Sequence, residues 1–179
     1  FRKSVNNFNN DSSRDSSNNG LTSLLQKVSS NEKSSIITSD QMDILASMLP
    51  LQHRYRLWNL KYSLRRDGAS LDTLLALSIT HDQYNNVSQY IPTIILIEDS
   101  WGYIFGGFLS HSLDNKHIYY GDGESFVFTI APTVQLFHWS GKNNLFVLSN
   151  SNCLAMGGGG EGFAFQLDDE LDTGVSNKS

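Results

Sequence analysis

The chain has 179 residues, 39% of them hydrophobic, with a formal net charge of −5 and a pI near 5.4. That size suits one compact domain plus a tail, and the acidic balance speaks against the basic footprint of a nucleic-acid-binding module. A single cysteine, Cys153, excludes an internal disulfide framework and a Cys-rich zinc site, and no apolar run approaches the roughly 20 residues that span a bilayer.

Residues 1–35 hold seven Asn and ten Ser, nearly half the segment. Such a tract buries too little apolar surface to offset its ordering entropy, so it reads as a polar linker, disordered over residues 1–19. Inside it, Leu21, Leu24, Leu25 and Val28 follow helical spacing and predict a short amphipathic helix near 21–28. The folded domain is expected over residues 36–179.

Thr38-Ser39-Asp40-Gln41 has the form of a capping box. Met42, Leu45, Ala46 and Leu49 then share a helix face, and Pro50 ends that helix. Trp58, Leu60, Tyr62 and Leu64 alternate with polar residues and predict a half-buried strand, closed by a turn at Arg65-Arg66-Asp67-Gly68. Ser70 is placed to cap a helix with Leu71, Leu74, Leu75 and Ser78 on one side. Residues 80–90 read as polar loop. Ile94–Ile97 is a continuous aliphatic run, the mark of a strand covered on both faces. Glu98–Gly102 turns it into a second arm, Tyr103–Leu109, whose Gly106-Gly107 pair marks close packing against another backbone.

Residues 110–118 read as loop. Short strands follow at Ser125–Ile130, Val134–Trp139, Leu145–Leu148, Cys153–Met156 and Phe163–Leu167, with glycine-rich corners between them and no closing strand after residue 168. Many short strands joined by turn residues predict an α+β fold: a two-sheet antiparallel β-sandwich flanked by a few helices. Trp58 and Trp139 alternate toward the core, whereas Trp101 falls in a turn, is expected to be exposed, and is a candidate partner anchor.

The chemistry-bearing patterns are sparse. Gly157–Gly160 leads into a strand rather than a helix and carries Glu161, so it reads as a tight connection and not a phosphate loop. Asp168, Asp169, Glu170 and Asp172 lack the spacing of a calcium loop and read as solvated acids. Glu124 reads as a structural or docking carboxylate. Cys153, in an apolar run, reads as a buried thiol, and the five histidines show no ligand or triad spacing. No cofactor or metal is expected. Basic residues gather at Arg54, Arg56, Lys61, Arg65 and Arg66 and acids gather late, an asymmetry that reads first as plain solvated surface and, as the alternative, as a charged docking face.

In order, the chain carries Leu49-Pro50, Trp58–Ser63, Asp67–Leu71, Ile94–Asp99, Ile104–Phe108, Tyr120–Phe126, Trp139–Asn143, Gly157–Phe163, and Leu167–Leu171 with Gly174 and Ser176. This ordered set resembles the TLDc domain of the oxidation-resistance proteins. The departures are Gln166 and Glu161. The family pattern also continues past this Gly-x-Ser turn to a last strand, so the resemblance implies truncation at the C-terminus and a missing strand. It further implies no established catalytic mechanism, a role in resistance to oxidative damage, and binding to the vacuolar-type proton pump. The site is then intracellular, cytoplasmic or at the cytosolic face of endomembranes, with mitochondria the alternative. Carried over residue by residue, the docking candidates are Glu124, Asp168, Asp169, Gly174 and Ser176, joined by Trp101 from its turn position; for Gly174 a backbone shape, rather than a contact, is the first reading. The expected function is a non-enzymatic interaction module. The competing readings are an enzyme or direct antioxidant using Cys153 or surface carboxylates, and an adaptor tethered in a longer scaffold.

Overall fold

A computed structural model describes residues 2–8, 34–78 and 91–177. The helix expected near 21–28 and the loop at 80–90 lie outside the described residues. Eleven strands and three short helices are described, and the strands form two antiparallel sheets.

Strands β1 (Arg2–Phe8), β2 (Trp58–Ser63), β3 (Thr93–Glu98), β4 (Ile104–Leu109), β6 (Phe126–Ala131) and β7 (Gln135–His138) make a six-stranded sheet in the order β2-β1-β3-β4-β6-β7. Strands β5 (Lys116–Tyr120), β8 (Val147–Asn150), β9 (Cys153–Gly159), β10 (Gly162–Asp168) and β11 (Gly174–Val175) make the second, in the order β11-β10-β9-β8-β5. The helices are α1 (Ser39–Met48), α2 (Leu64–Asp67) and α3 (Leu71–Ser78), with a 3₁₀ turn at Leu51–His53.

The molecule is layered. Between the sheets, Ile95, Ile97 and Leu109 meet Val147, Leu154, Met156, Phe165 and Leu167, with Leu71, Leu74 and Leu75 of α3 closing the side. On the far face of the larger sheet, Ile94, Leu96, Phe108, Phe126 and Phe128 are covered by Leu45 and Ala46 of α1 and by Leu49 just past its end. Ile94, Ile95, Leu96 and Ile97 alternate between these two cores and are all 0–1% exposed, which is why the run has no polar member.

The local signals work as read at both helix starts. Thr38 Oγ1 accepts from the Gln41 amide at 3.3 Å, and Gln41 Oε1 accepts from the Thr38 amide at 2.9 Å. Ser70 Oγ accepts from the Thr73 amide at 3.2 Å. Gly106 registers with Leu96, and a Cβ there would collide with the Ile95 carbonyl. Gly107 instead faces Met156 of the opposite sheet.

Four expectations are corrected. Residues 2–8, read as part of a disordered tract, form β1, because ladder bonds on both edges supply what their polar composition does not. Lys116–Tyr120, read largely as loop, is an edge strand; the Tyr120 hydroxyl ties it to the Asp114 backbone and to Ser149. A two-residue strand, β11, closes against β10 after residue 168. Trp139, read as core, is 46% exposed, because the chain leaves the β7 ladder at His138.

Candidate docking surface

The glycine corners converge at one end of the smaller sheet. Gly121, at φ +103°, ends β5, and Asp122 organises the turn that follows. Its Oδ1 accepts from the Glu124 amide at 2.9 Å and from the Ser110 hydroxyl at 2.7 Å. His111 Nδ1 lies 2.7 Å from Ser110 Oγ and 3.5 Å from Asp122 Oδ2. One imidazole nitrogen thus faces both neighbours, and the hydroxyl donates straight to the carboxylate. A nucleophilic triad needs the imidazole between those two groups, using both ring nitrogens. Here the three residues brace a turn that leaves Glu124 exposed.

Trp139 lies over this turn. A Cβ on Gly123 would sit 2.5 Å from Trp139 Cε3, so only glycine admits the indole there. The indole N–H donates to the Asn143 carbonyl at 2.6 Å, and the ring meets Phe146 at 5.4 Å between centroids. Asn143 in turn donates to the Gly158 carbonyl at 3.0 Å. The Gly157 and Gly158 amides donate to the Phe146 and Leu145 carbonyls at 2.9 and 2.8 Å. Those N–H groups are consumed by the fold and are not aimed at an anion. The run is one arm of the β9–β10 hairpin. Tyr119 stacks on Phe163 at 6.4 Å, and Asn177 donates its amide to the Phe163 carbonyl at 2.9 Å.

The acidic segment is a different construction. Asp168 accepts from the amides of Asp172 and Thr173, both at 2.9 Å, and from the Thr173 hydroxyl. This holds a loop in which Leu171, at φ +54°, drives its side chain into the inter-sheet core. The Asp169 carbonyl accepts the first amide of α3, from Leu71, at 2.9 Å. Gly174 is extended, and a Cβ on it would come within 2.7 Å of the Gln166 carbonyl. Its need is close strand approach rather than a contact surface.

Cys153 is partly buried, and burial pushes its thiol pKa up. A nucleophilic cysteine requires the opposite shift.

A sequence model of the TLDc domain matches residues 30–179. The chain belongs to the TLDc family. It is 35% identical over 146 residues to oxidation resistance protein 1 of Xenopus tropicalis, covering 82% of this chain and 16% of that protein. The human oxidation resistance protein 1 matches at 35% over 146 residues, with the same coverage. Nuclear receptor coactivator 7 of Mus musculus matches at 34% over 144 residues, 80% of this chain and 14% of the relative. The chain thus spans about one-sixth of the length of these relatives.

Within this TLDc domain the sequence candidates do not form one site. Glu124 follows β5, at one edge of the smaller sheet, and Asp168 ends β10 beside the other edge. They also sit at opposite ends: Tyr120 registers with Val147, Val147 with Met156, and Met156 with Phe165, three residues short of Asp168. Ser176 lies next to Asn177, whose amide reaches Phe163, and so returns toward the glycine corner. Trp101, 83% exposed, tops the β3–β4 hairpin, where Asp99 Oδ1 accepts its amide at 2.9 Å. Ile104 registers with Ala131, at the end of β6 away from Phe126, so Trp101 is remote from Glu124. Sequence reading missed Tyr119 and Trp139 as surface members. The pairing of a tryptophan with a glycine it must cover was the available signal.

Proposed function

We propose that this TLDc domain is a non-enzymatic docking module. Its glycine corner presents Glu124, beside the half-exposed indole of Trp139, to a subunit of the vacuolar-type proton pump at the cytosolic face of endomembranes. In that role it serves the response to oxidative stress. The observation that carries the reading is the bracing of the corner: Asp122 fixes the Glu124 backbone, Gly123 seats Trp139, and the glycine amides are already bonded. A preformed carboxylate beside an exposed indole loses little freedom on binding, and tryptophan is over-represented among residues that dominate interface energy. The alternative, an antioxidant acting through Cys153, is disfavoured by the upward shift of the thiol.

The test is affinity capture of pump subunits from a membrane extract on the immobilised full chain. Glu124→Arg is expected to reduce capture by roughly tenfold, since reversing a charge at a complementary contact costs affinity. Its melting temperature is expected to match the parent, because the carboxylate is exposed. Gly174→Arg is a poor probe, as it would break β11 pairing. Capture that is unchanged in Glu124→Arg would remove the corner from the interface. Recovery of no pump subunit by the parent chain would remove the pump.

A further inference from the structure

The segment between α1 and β2 is pinned at three points and exposes apolar side chains between them. Leu49, His53 and Trp58 are 0%, 7% and 0% exposed. Leu51 and Tyr55, one helical turn apart, are 74% and 66% exposed, and Leu57 is 37% exposed. His53 packs on Phe108 of β4, and Trp58 opens β2, the edge strand of the same sheet. The segment therefore runs along the rim of the larger sheet from β4 to its edge. Because the pinned residues face inward, Leu51 and Tyr55 project from the outer side of a tight turn. A lone exposed leucine is ordinary, but these two stand together on one short, anchored stretch.

Positive charge gathers at the same place. Residues 44–66 carry five of the 13 Lys and Arg residues and no Asp or Glu, in a chain of net charge −5. The rest of the chain is therefore strongly acidic. Arg54 Nε donates to the Leu49 carbonyl at 2.7 Å, and Arg56 Nε donates to the Gln52 carbonyl at 3.0 Å. These bonds hold both guanidinium groups beside the projecting side chains. Arg66 Nη2 donates to the Lys61 carbonyl at 2.7 Å, which carries the positive line along β2.

We propose that this rim is a peripheral membrane contact and that its occupant is an anionic phospholipid surface. Leu51 and Tyr55 enter the boundary between headgroups and acyl chains. Arg54, Arg56 and Lys61 lie level with the lipid phosphates, their stems against apolar surface and their charges outward. Each basic residue near an anionic leaflet strengthens binding roughly fivefold. The acidic remainder of the chain is repelled by the same field, which turns the rim toward the bilayer. An acidic peptide is the competing occupant. It would meet the arginines but leave the projecting Leu51 and Tyr55 side chains in water. The contact does not depend on the pump reading, because lipid alone supplies the ligand.

The test is co-sedimentation of the full chain with vesicles of phosphatidylcholine, with or without phosphatidylserine. Binding is expected only with phosphatidylserine, and it is expected to fall as salt rises from about 0.05 M to about 0.5 M. Leu51→Ser combined with Tyr55→Ser is expected to weaken binding about tenfold, and Arg56→Gln combined with Lys61→Gln by a similar factor. Thermal melts of both double variants are expected to match the parent, which separates a lost contact from a lost fold. Equal binding to both kinds of vesicle, no binding at millimolar lipid, or unchanged binding after either double substitution would overturn the membrane contact. A fluorescein-labelled polyglutamate peptide that binds the parent chain while the vesicles do not would overturn the choice of lipid.

Discussion

His53 shows how one side chain couples this domain to pH. It is 7% exposed, and its ring centroid lies 5.7 Å from that of Phe108. Burial, with a smaller push from the charge of Arg56, lowers its pKa below 6.5. The unfolded chain therefore takes up a proton at His53 more readily than the folded chain. The stability this residue contributes is complete above about pH 6.5 and is lost as pH falls toward the folded value. The melting temperature is expected to drop between about pH 7.5 and about pH 5.5, and His53→Leu is expected to flatten that slope. Thermal melts of both proteins across that range check it. The other histidines are common to both and cancel in the difference, so parallel slopes would remove His53 as the cause. Nothing in the sequence distinguished His53 from the other four histidines, because its burial comes from Phe108, which is 55 positions away in the chain.

At the scale of elements, β2 carries an irregularity that decides which core each aromatic enters. Val5 registers with Tyr62 and Asn6 with Leu60, so the register steps past Lys61. Strict alternation would put Trp58 and Tyr62 on one face. The extra residue reverses the parity, and Trp58 joins the core under α1 while Tyr62 joins the core between the sheets. Deleting Lys61 removes the extra residue and leaves Trp58 and Tyr62 three positions apart, on opposite faces, so Tyr62 keeps its core and the Gly68 carbonyl that its hydroxyl meets. The expected loss is within about 1 kcal/mol, whereas Tyr62→Ala, which removes a large buried aromatic, is expected to cost about 3–5 kcal/mol. Inserting a second residue beside Lys61 flips the parity and is expected to cost about as much as Tyr62→Ala. Urea unfolding of the three variants checks that parity, and not the Lys61 side chain, places the aromatics. This switch was not legible in a period-two reading, which places Trp58, Leu60 and Tyr62 together. Both helix caps were legible, since Thr38–Gln41 and Ser70–Thr73 are local contacts. The edge strand β5 was not: Lys116, His117, Ile118 and Tyr119 are all exposed, and no burial pattern separates them from a loop.

Across the whole molecule, the order of layers followed from sequence where a run is buried on both faces, as at Ile94–Ile97, or where glycine corners space the strands, as from Gly121 to Gly162. The place of β1 did not follow, because its pairing with β2 and β3 rests on main-chain bonds that polar side chains do not announce. At the candidate site, the turn that exposes Glu124 could be read from its glycines, and a backbone role for Gly174 could be read from glycine's conformational range, whereas the loop that Asp168 clamps could not, since its bonds to Asp172 and Thr173 leave no pattern in the sequence. Because β3 contributes to both cores, a lesion in it is felt on two sides at once. In an unbiased genetic screen for loss of the proposed pump association, variants at these four adjacent aliphatic positions are expected to outnumber those at the glycine corner. Their low soluble yield on expression would mark them as folding casualties, and only the soluble remainder would map recognition.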